Sequence, residues 1–580
     1  MSADTHKSNL SQPVGVGLSI EPAGGLDIDA QQVDHLLIMK SFADDLELAA
    51  TVNRLAPTQM EVKPGTIVLG LVLDTLSRRS PLYRLVEFFE GRDTEVLLGE
   101  RVPASVFTDD TVGRVLDLLF ETGTQRVFSE LAMKALQRHR ISTRAVHFDT
   151  TSVSVYGEYR VEEQAPPPPF EITEGYSKDH RPDLKQFLIS TLCVGDKIPI
   201  FGKNEDGNRS DKEINNTILT QISTHMAKFG VGEKAFIYIA DSALVTPKNL
   251  QELSAGQPFI TRLPATYAEC GRAISEAVQA NQWEELGQLS RTKPTANRPA
   301  ALYRAAEGTV TLYGKPYRAV VVHSSAHDKR RHKKIERELT KERASLEKSF
   351  QEQCLSEYAC EADARAAGNA WASQQCRYHD LFSDIEPVYT YARGRPKKDQ
   401  PRQVTQTRYR VKAHVEQNAS ALEQMKMEAG CFVLLTNVAK EGEGAADARE
   451  ILSLYKEQHG VEQNFAFLKD PAVVNAIFLK NEERIEALGL ILLISLLIWR
   501  LIERSLRRHV EETGHPLIGW DNKATTRPTT LMVTSKFRNI TVIRIGSQRR
   551  LNRPLNPVQL HWLKALGLKP TIFTEQPRAG

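Results

Sequence analysis

Three acids stand where carboxylates can do chemistry: Asp149 in AVHFDTTS, Asp241 in AFIYIADSA, and Glu462 in Tyr455-x2-Gln458-x3-Glu462-x6-Lys469. The first two sit at the ends of apolar, β-branched runs that read as buried strands. The third sits in a helical pattern. Offsets of 3, 4 and 7 residues turn a helix through roughly 300°, 400° and 700°, so its phenol, amide, carboxylate and ammonium are expected near one side. Carboxylates from two strands and a helix, meeting around one polar pocket, could hold two Mg²⁺ ions for an in-line displacement at phosphorus. Mg²⁺ favours oxygen ligands and keeps several waters, so a few acids suffice, with Mn²⁺ as a substitute. His147 and His459 lie close in sequence, but nitrogen suits so hard a cation poorly.

The elements that must position these groups follow a readable order. Residues 1–138 read as short helices, with Thr108-Asp109-Asp110 as a helix start and 105–120 as a candidate recognition element of a helix-turn-helix. A plain structural or assembly module is the competing reading. RAVHFDTT and SVSVYGEYR read as a strand pair, QFLISTLCV and KIPIFGK as strands, NNTILTQISTHMAKFG as a helix and KAFIYIAD as another strand. This is the opening order of a ribonuclease-H-like fold, so the fold class expected is α/β: a mixed sheet flanked by helices. Residues 139–261 and 446–510 form its two parts. The 221 residues from Asp241 to Glu462 are too many for a direct connection, so 262–445 reads as a mixed α+β insertion. It carries the charged helical stretch 327–378 and a further strand pair, RYRVKAHVEQ with GCFVLLTNV. Residues 511–580 form a basic tail.

The segments HFDTTSVSVYGEY, GYSKDHRPDLKQ, IADSALVT and YKEQHGVEQNFAFLKDP resemble those of bacterial insertion-sequence transposases of the DDE type. The nearest branch is the insertion sequence 1634 group of the insertion sequence 4 superfamily. That superfamily carries a Tyr-x2-Arg-x3-Glu-x6-Lys signature, which this chain matches at Tyr455, Glu462 and Lys469, with Gln458 in place of arginine. The resemblance covers most of residues 1–510. It implies catalytic and metal-binding roles for Asp149, Asp241 and Glu462, phosphate contacts for Tyr455 and Lys469, and a homodimer acting on DNA. The substrates implied are the element's terminal repeats and a target duplex. A neutral Gln458 would bind phosphate more weakly than arginine, since charge-assisted bonds are roughly twice as strong.

Other signals add to this reading. Arg393-Gly394-Arg395-Pro396-Lys397 contains the core of an AT-hook, whose arginines can lie in a narrow minor groove. A basic turn is the plainer alternative. Lys178–Arg181 could face a DNA channel. The runs 329–334 and 544–553 could contact phosphates, the second having fewer acids beside it.

Bulk composition frames these readings. The net charge of +3 hides a net of −7 over residues 1–100 and of +8 over residues 500–553. Six cysteines in 580 residues make no disulfide framework and favour a reducing bacterial cytoplasm, with the chain on the nucleoid when DNA-bound. LGLILLISLLIW, about 13 apolar residues with its flank, is shorter than the roughly 20 needed to span a bilayer and reads as a core helix, so no membrane partner is expected. No glycine-rich phosphate loop is present, against an ATP-driven helper. A ribonuclease-H-like nuclease without strand transfer, and a non-catalytic DNA-binding or assembly protein, are the alternative functions.

Overall fold

The computed structural model describes residues 28–77, 84–155, 159, 167–176, 178, 181–232, 235–253, 256–289, 300–354, 356–394, 401–469, 479, 481–546 and 548–575. It divides into two compact units, residues 1–259 with 454–580, and residues 260–453.

The first unit opens with strand β1 (Ile28–Gln32) and seven helices: α1 (Leu36–Asp45), α2 (Leu48–Leu55), α3 (Pro64–Leu76), α4 (Leu85–Phe89), α5 (Thr94–Leu98), α6 (Asp109–Thr122) and α7 (Thr124–His139). Helix α6 starts where expected, the Thr108 hydroxyl accepting from Thr111 N. As a recognition element it is poorly suited. Its first turn carries Asp109 and Asp110, and its other face is buried through Val112, Val115, Leu116 and Leu119.

The mixed sheet follows. Strands β2 (Ala145–Val155), β3 (Lys185–Val194) and β4 (Ile198–Glu205) precede helix α8 (Asp211–Ala227), then come β5 (Ile237–Ile239) and α9 (Pro247–Leu253). The pairs β2–β3 and β3–β4 are antiparallel, and β5 runs parallel to β2. Three antiparallel strands, a helix and a strand parallel to the first are the ribonuclease-H-like order that the sequence leads one to expect. One detail differs: residues 145–155 form a single strand, with no turn after Thr151. Thr, Ser and Val all suit a pleated strand, and nothing in TTSVSV supplies turn geometry.

The second unit continues with β6 (Phe259–Arg262), α10 (Ala268–Ala280), β7 (Glu284–Gln288), β8 (Leu302–Leu312), β9 (Lys315–Ser324), α11 (Ser325–Cys354), α12 (Glu361–Ala372), β10 (His379–Tyr391), β11 (Val404–Gln417), α13 (Ala419–Ala429) and β12 (Cys431–Thr436). The largest sheet is mixed, with nine strands in the order β4-β3-β2-β5-β6-β12-β9-β8-β7. RYRVKAHVEQ and GCFVLLTNV do not pair with each other. β11 pairs with β10 in a separate two-stranded ribbon, while β12 lies between β6 and β9. Both runs alternate in a strand-like way, but α13 lies between them and carries the chain from the ribbon to the large sheet.

After α14 (Ala448–Glu457) and α15 (His459–Leu468), the first unit resumes with α16 (Glu482–Thr513), the small pair β13 (Leu517–Ile518) and β14 (Ala524–Thr525), helix α17 (Thr530–Lys536), strands β15 (Thr541–Ile545) and β16 (Gln548–Leu551), and α18 (Pro557–Ala565). Among the described residues α16 alone is long and apolar enough to cross a membrane, and 83% of its most apolar window is buried inside the protein. The C-terminal residues fold back on the N-terminal region: β1, β15 and β16 form one sheet. Arg549, in the run read as a phosphate contact, is instead buried. It forks onto Asp93 at 2.7 and 3.1 Å and reaches Glu95 at 2.8 Å. Its acids lie more than 450 positions away, so no local charge count could show them. In the other basic run, Lys333 is exposed, while most of its side chains lie outside the described residues.

Candidate active site

Parallel pairing sets Asp149 beside Asp241. The β2–β5 register matches Ala145 with Ile237, Val146 with Tyr238 and His147 with Ile239. Two residues further along each chain stand the two aspartates, on neighbouring backbones that run roughly 5 Å apart. Asp149 remains within β2, its Oδ1 accepting from Thr150 N at 2.8 Å. Asp241 leaves β5 and turns the chain, its Oδ1 accepting from Ala243 N at 3.0 Å.

The pair feels its surroundings strongly. Burial pushes the Asp149 carboxyl up to about 7, opposed by the Lys178 ammonium and reinforced by Asp241 and Asp211. Burial also raises Asp241, with Asp211 adding to the rise and Lys178 offsetting it. Asp149 therefore ionises against the charge of Asp241 and Asp211, and Asp241 against that of Asp211.

Asp211 and Lys178 complete this cluster, and no sequence motif marks either as a site acid or its counter-charge. Asp211 is the first residue of α8, fixed by the capping box of Ser210 and Glu213. Its carboxylate accepts from the Thr150 hydroxyl. Lys178 Nζ donates to Asp211 Oδ1 at 3.1 Å, to Thr150 O at 2.9 Å and to Thr150 Oγ1 at 2.8 Å. The Ser210-x-x-Glu213 signature was legible and would have placed Asp211 at a helix start. Its nearness to β2 depends on tertiary packing. Of the segment 178–181 read as facing DNA, Lys178 lies in this cluster and Arg181 pairs with Asp183, while Asp179 and His180 lie outside the described residues.

The helix carrying the signature arrives differently from expectation. It breaks at Gln458, between α14 and α15, and its four marked residues do not share one exposure. Gln458 is buried: its Nε2 donates to Phe148 O at 2.9 Å, and its Oε1 faces His147 Nδ1 at 3.4 Å. A glutamine can donate to the strand carbonyl and accept from the imidazole at once, which arginine cannot do. Gln458 thus anchors the helix to the strand that carries Asp149, and its amide is not presented to a phosphate. Gln458→Ala should lower stability by about 1–3 kcal/mol, because Phe148 O loses its side-chain donor. The midpoint of urea unfolding checks this, and a change below about 0.5 kcal/mol would contradict the anchoring role.

Glu462 faces outward, its side chain 64% exposed, with His459 Nδ1 at 2.6 Å from its Oε2. Tyr455 and Lys469 are half-buried. The structure therefore brings Asp149 and Asp241 together and leaves Glu462 on the solvent side of α15. Among the described residues no group of three His, Cys, Asp or Glu side chains is arranged to hold a metal ion.

The rest of α15 is bolted down. Asn464 donates to Lys197 O at 2.9 Å and Cys193 Sγ at 3.2 Å, and accepts from Arg500 Nε at 2.6 Å. Burial pushes the Cys193 thiol up to about 12, so it is no nucleophile. Gly460 is glycine for a visible reason: a Cβ there would meet the Lys197 side chain at 2.5 Å. Lys197 packs across Gly460 and bonds Gln463.

Arg393, at the far end of β10, is exposed; Arg395 and Lys397 lie outside the described residues. Residues 28–133, from β1 into α7, match the family model described as a domain of unknown function (DUF4277), a domain found in transposase-like proteins. No curated protein matches the chain.

Proposed function

We propose that this chain is a DNA transposase that cleaves insertion-sequence ends and joins them to a target duplex by metal-assisted phosphoryl transfer. The observation that carries the reading is the Asp149–Asp241 pair, Asp149 within β2 and Asp241 just past the end of β5, on adjacent parallel strands in a ribonuclease-H-like order. The DUF4277 match over the N-terminal helices supports it.

The donor set fits a hard divalent cation in part. Asp149 and Asp241 offer only oxygen, and both carboxyls are raised by burial, so a cation beside them would favour their ionised forms. These two would hold Mg²⁺, or Mn²⁺ in its place. Glu462 is the third acid of this reading, bonded to His459 in the structure. When bound, the metal supplies activation of the attacking oxygen and stabilisation of the leaving one.

The chain's own groups do the positioning. Lys178 neutralises Asp211 and donates to Thr150 O beside the pair, limiting negative charge where a phosphodiester must approach. Gln458 fixes α15 against β2, and Asn464 with Arg500 fixes it against β3 and α16. Tyr455, Lys469, Arg393, Arg395 and Lys397 are assigned to the DNA backbone. The enzyme is read as a homodimer on DNA in the bacterial cytoplasm.

The test incubates the protein with Mg²⁺ and DNA bearing its element ends, beside Asp241→Asn. Nicking and joining by the wild type alone support the reading. Nicking without joining points to a nuclease, and binding without cleavage to a non-catalytic DNA-binding protein.

A further inference from the structure

The second unit carries a ribbon whose apolar face outruns its cover. In β10 and β11 the pairs Leu381–Val415, Ser383–Ala413, Ile385–Val411 and Pro387–Tyr409 follow one another along one face. The lower part is covered by α12 and the end of α11: Trp371, Ala364 and Cys354 pack with Val411, Leu381, Ile385 and Tyr409. Tyr358 closes the covered zone by pairing its backbone with Tyr409 at 2.8 and 3.0 Å.

Beyond that point, among the described residues, the face continues without a lid. Tyr389 is 49% exposed, Tyr391 44% and Val404 43%. From Pro387 to Tyr391 the strand advances about 13 Å, which is comparable with the roughly 12 Å width of a DNA major groove. The charge is one-sided. Residues 387–409 contain six Lys or Arg and a single acid, Asp399. Within the described part, Arg393, Arg402 and Arg408 are exposed, and Arg408 has Glu357 at 3.8 Å. The base of the ribbon, by contrast, mixes Asp380, Asp384 and Glu386 with Lys412 and Arg410.

We infer that the outer half of this ribbon is an arm that binds duplex DNA in the major groove, with Tyr389 and Tyr391 against the groove wall and Arg393 and Arg402 on flanking phosphates. Exposed aromatics amid cations with almost no acid suit a polyanion that also offers apolar sugar and base edges. A two-stranded ribbon is one of the shapes the major groove admits. The arm deepens the transposase reading, on which its choice of DNA rests, by giving the insertion a substrate-holding part.

Its test measures binding of the full-length protein to a mixed-sequence duplex of about 40 base pairs and to the matching single strand, without divalent metal and over a range of salt. Arg393→Ala/Arg402→Ala should lower the magnitude of the log–log salt slope by about 1.8, at about 0.9 per phosphate contact. Tyr389→Ala/Tyr391→Ala should weaken duplex binding about tenfold with the slope unchanged. All four side chains are exposed, so both variants should melt with the wild type. Unchanged slope and affinity in both variants overturn the arm, and so does a loss seen only with the single strand. Mg²⁺-dependent cleavage is scored separately. An arm that fails beside intact cleavage leaves the transposase reading standing, whereas arm-dependent binding by a chain that never cleaves removes that reading alone.

Discussion

Asp149→Asn should lower end cleavage by at least about 1000-fold, matching the several kcal/mol that a metal-held carboxylate contributes to phosphoryl transfer. The same change should make the metal-free protein more stable at neutral pH. Asp149 titrates near 7 in the folded chain against 3.8 ordinarily, chiefly because it is buried. The folded chain therefore holds this proton more tightly than the unfolded one. Stability from this group falls as pH rises from about 4 to about 7, and the penalty is complete above 7. Asparagine keeps the acceptor for Thr150 N and carries no charge to bury. The gain at pH 8 should reach at most about 4 kcal/mol, three pKa units at 1.36 each, and should vanish at pH 4. Urea unfolding in the presence of a chelator at the two pH values reads it. Equal stability of wild type and variant at pH 8 would show that Asp149 is not strained by its surroundings.

Arg549→Ala should be the most destabilising change outside the site, costing about 3–5 kcal/mol. Its guanidinium side chain is 1% exposed and Asp93 4%, so truncation leaves a buried carboxylate without its partner. Asp93 also caps α5 by accepting from Val96 N at 3.1 Å, so the fork ties β16 to a helix start. Asp93→Ala should cost a similar amount, and the double variant clearly less than the sum, because each change removes the same interaction. Additive losses in denaturant unfolding would contradict this. The arginine works in folding, and a phosphate-binding role would have left it exposed.

Arg549 also marks where sequence reading stops. Its neighbours Arg544, Arg550 and Arg553 make a basic run, and the acids that neutralise it sit on α5. Long-range pairing of this kind leaves no local trace. The β2–α8–β5 order was legible because it rests on apolar periodicity, helix caps and strand lengths, all local. So was the pairing of Asp149 with Asp241 as candidates, since each follows an apolar run, although β2 continues past Asp149 to Val155. Asp211 and Lys178 were not, because their meeting at Thr150 depends on where two connections land. Gln458 stood out only as a departure from a signature. The structure gives it a reason: the helix breaks there, and the side chain turns inward to Phe148 and His147. Helical angles alone placed Gln458 and Glu462 near one side, yet one is buried and the other faces solvent.

On the proposed function, Asp149 and Asp241 together hold a divalent cation. Titrating Mn²⁺ into the wild type, Asp149→Asn and Asp241→Asn, followed by the loss of the free-ion electron paramagnetic signal, tests it most directly. The wild type should bind saturably and either variant at least about tenfold more weakly, each having lost one of the charged oxygen donors. Equal binding by all three proteins would contradict it.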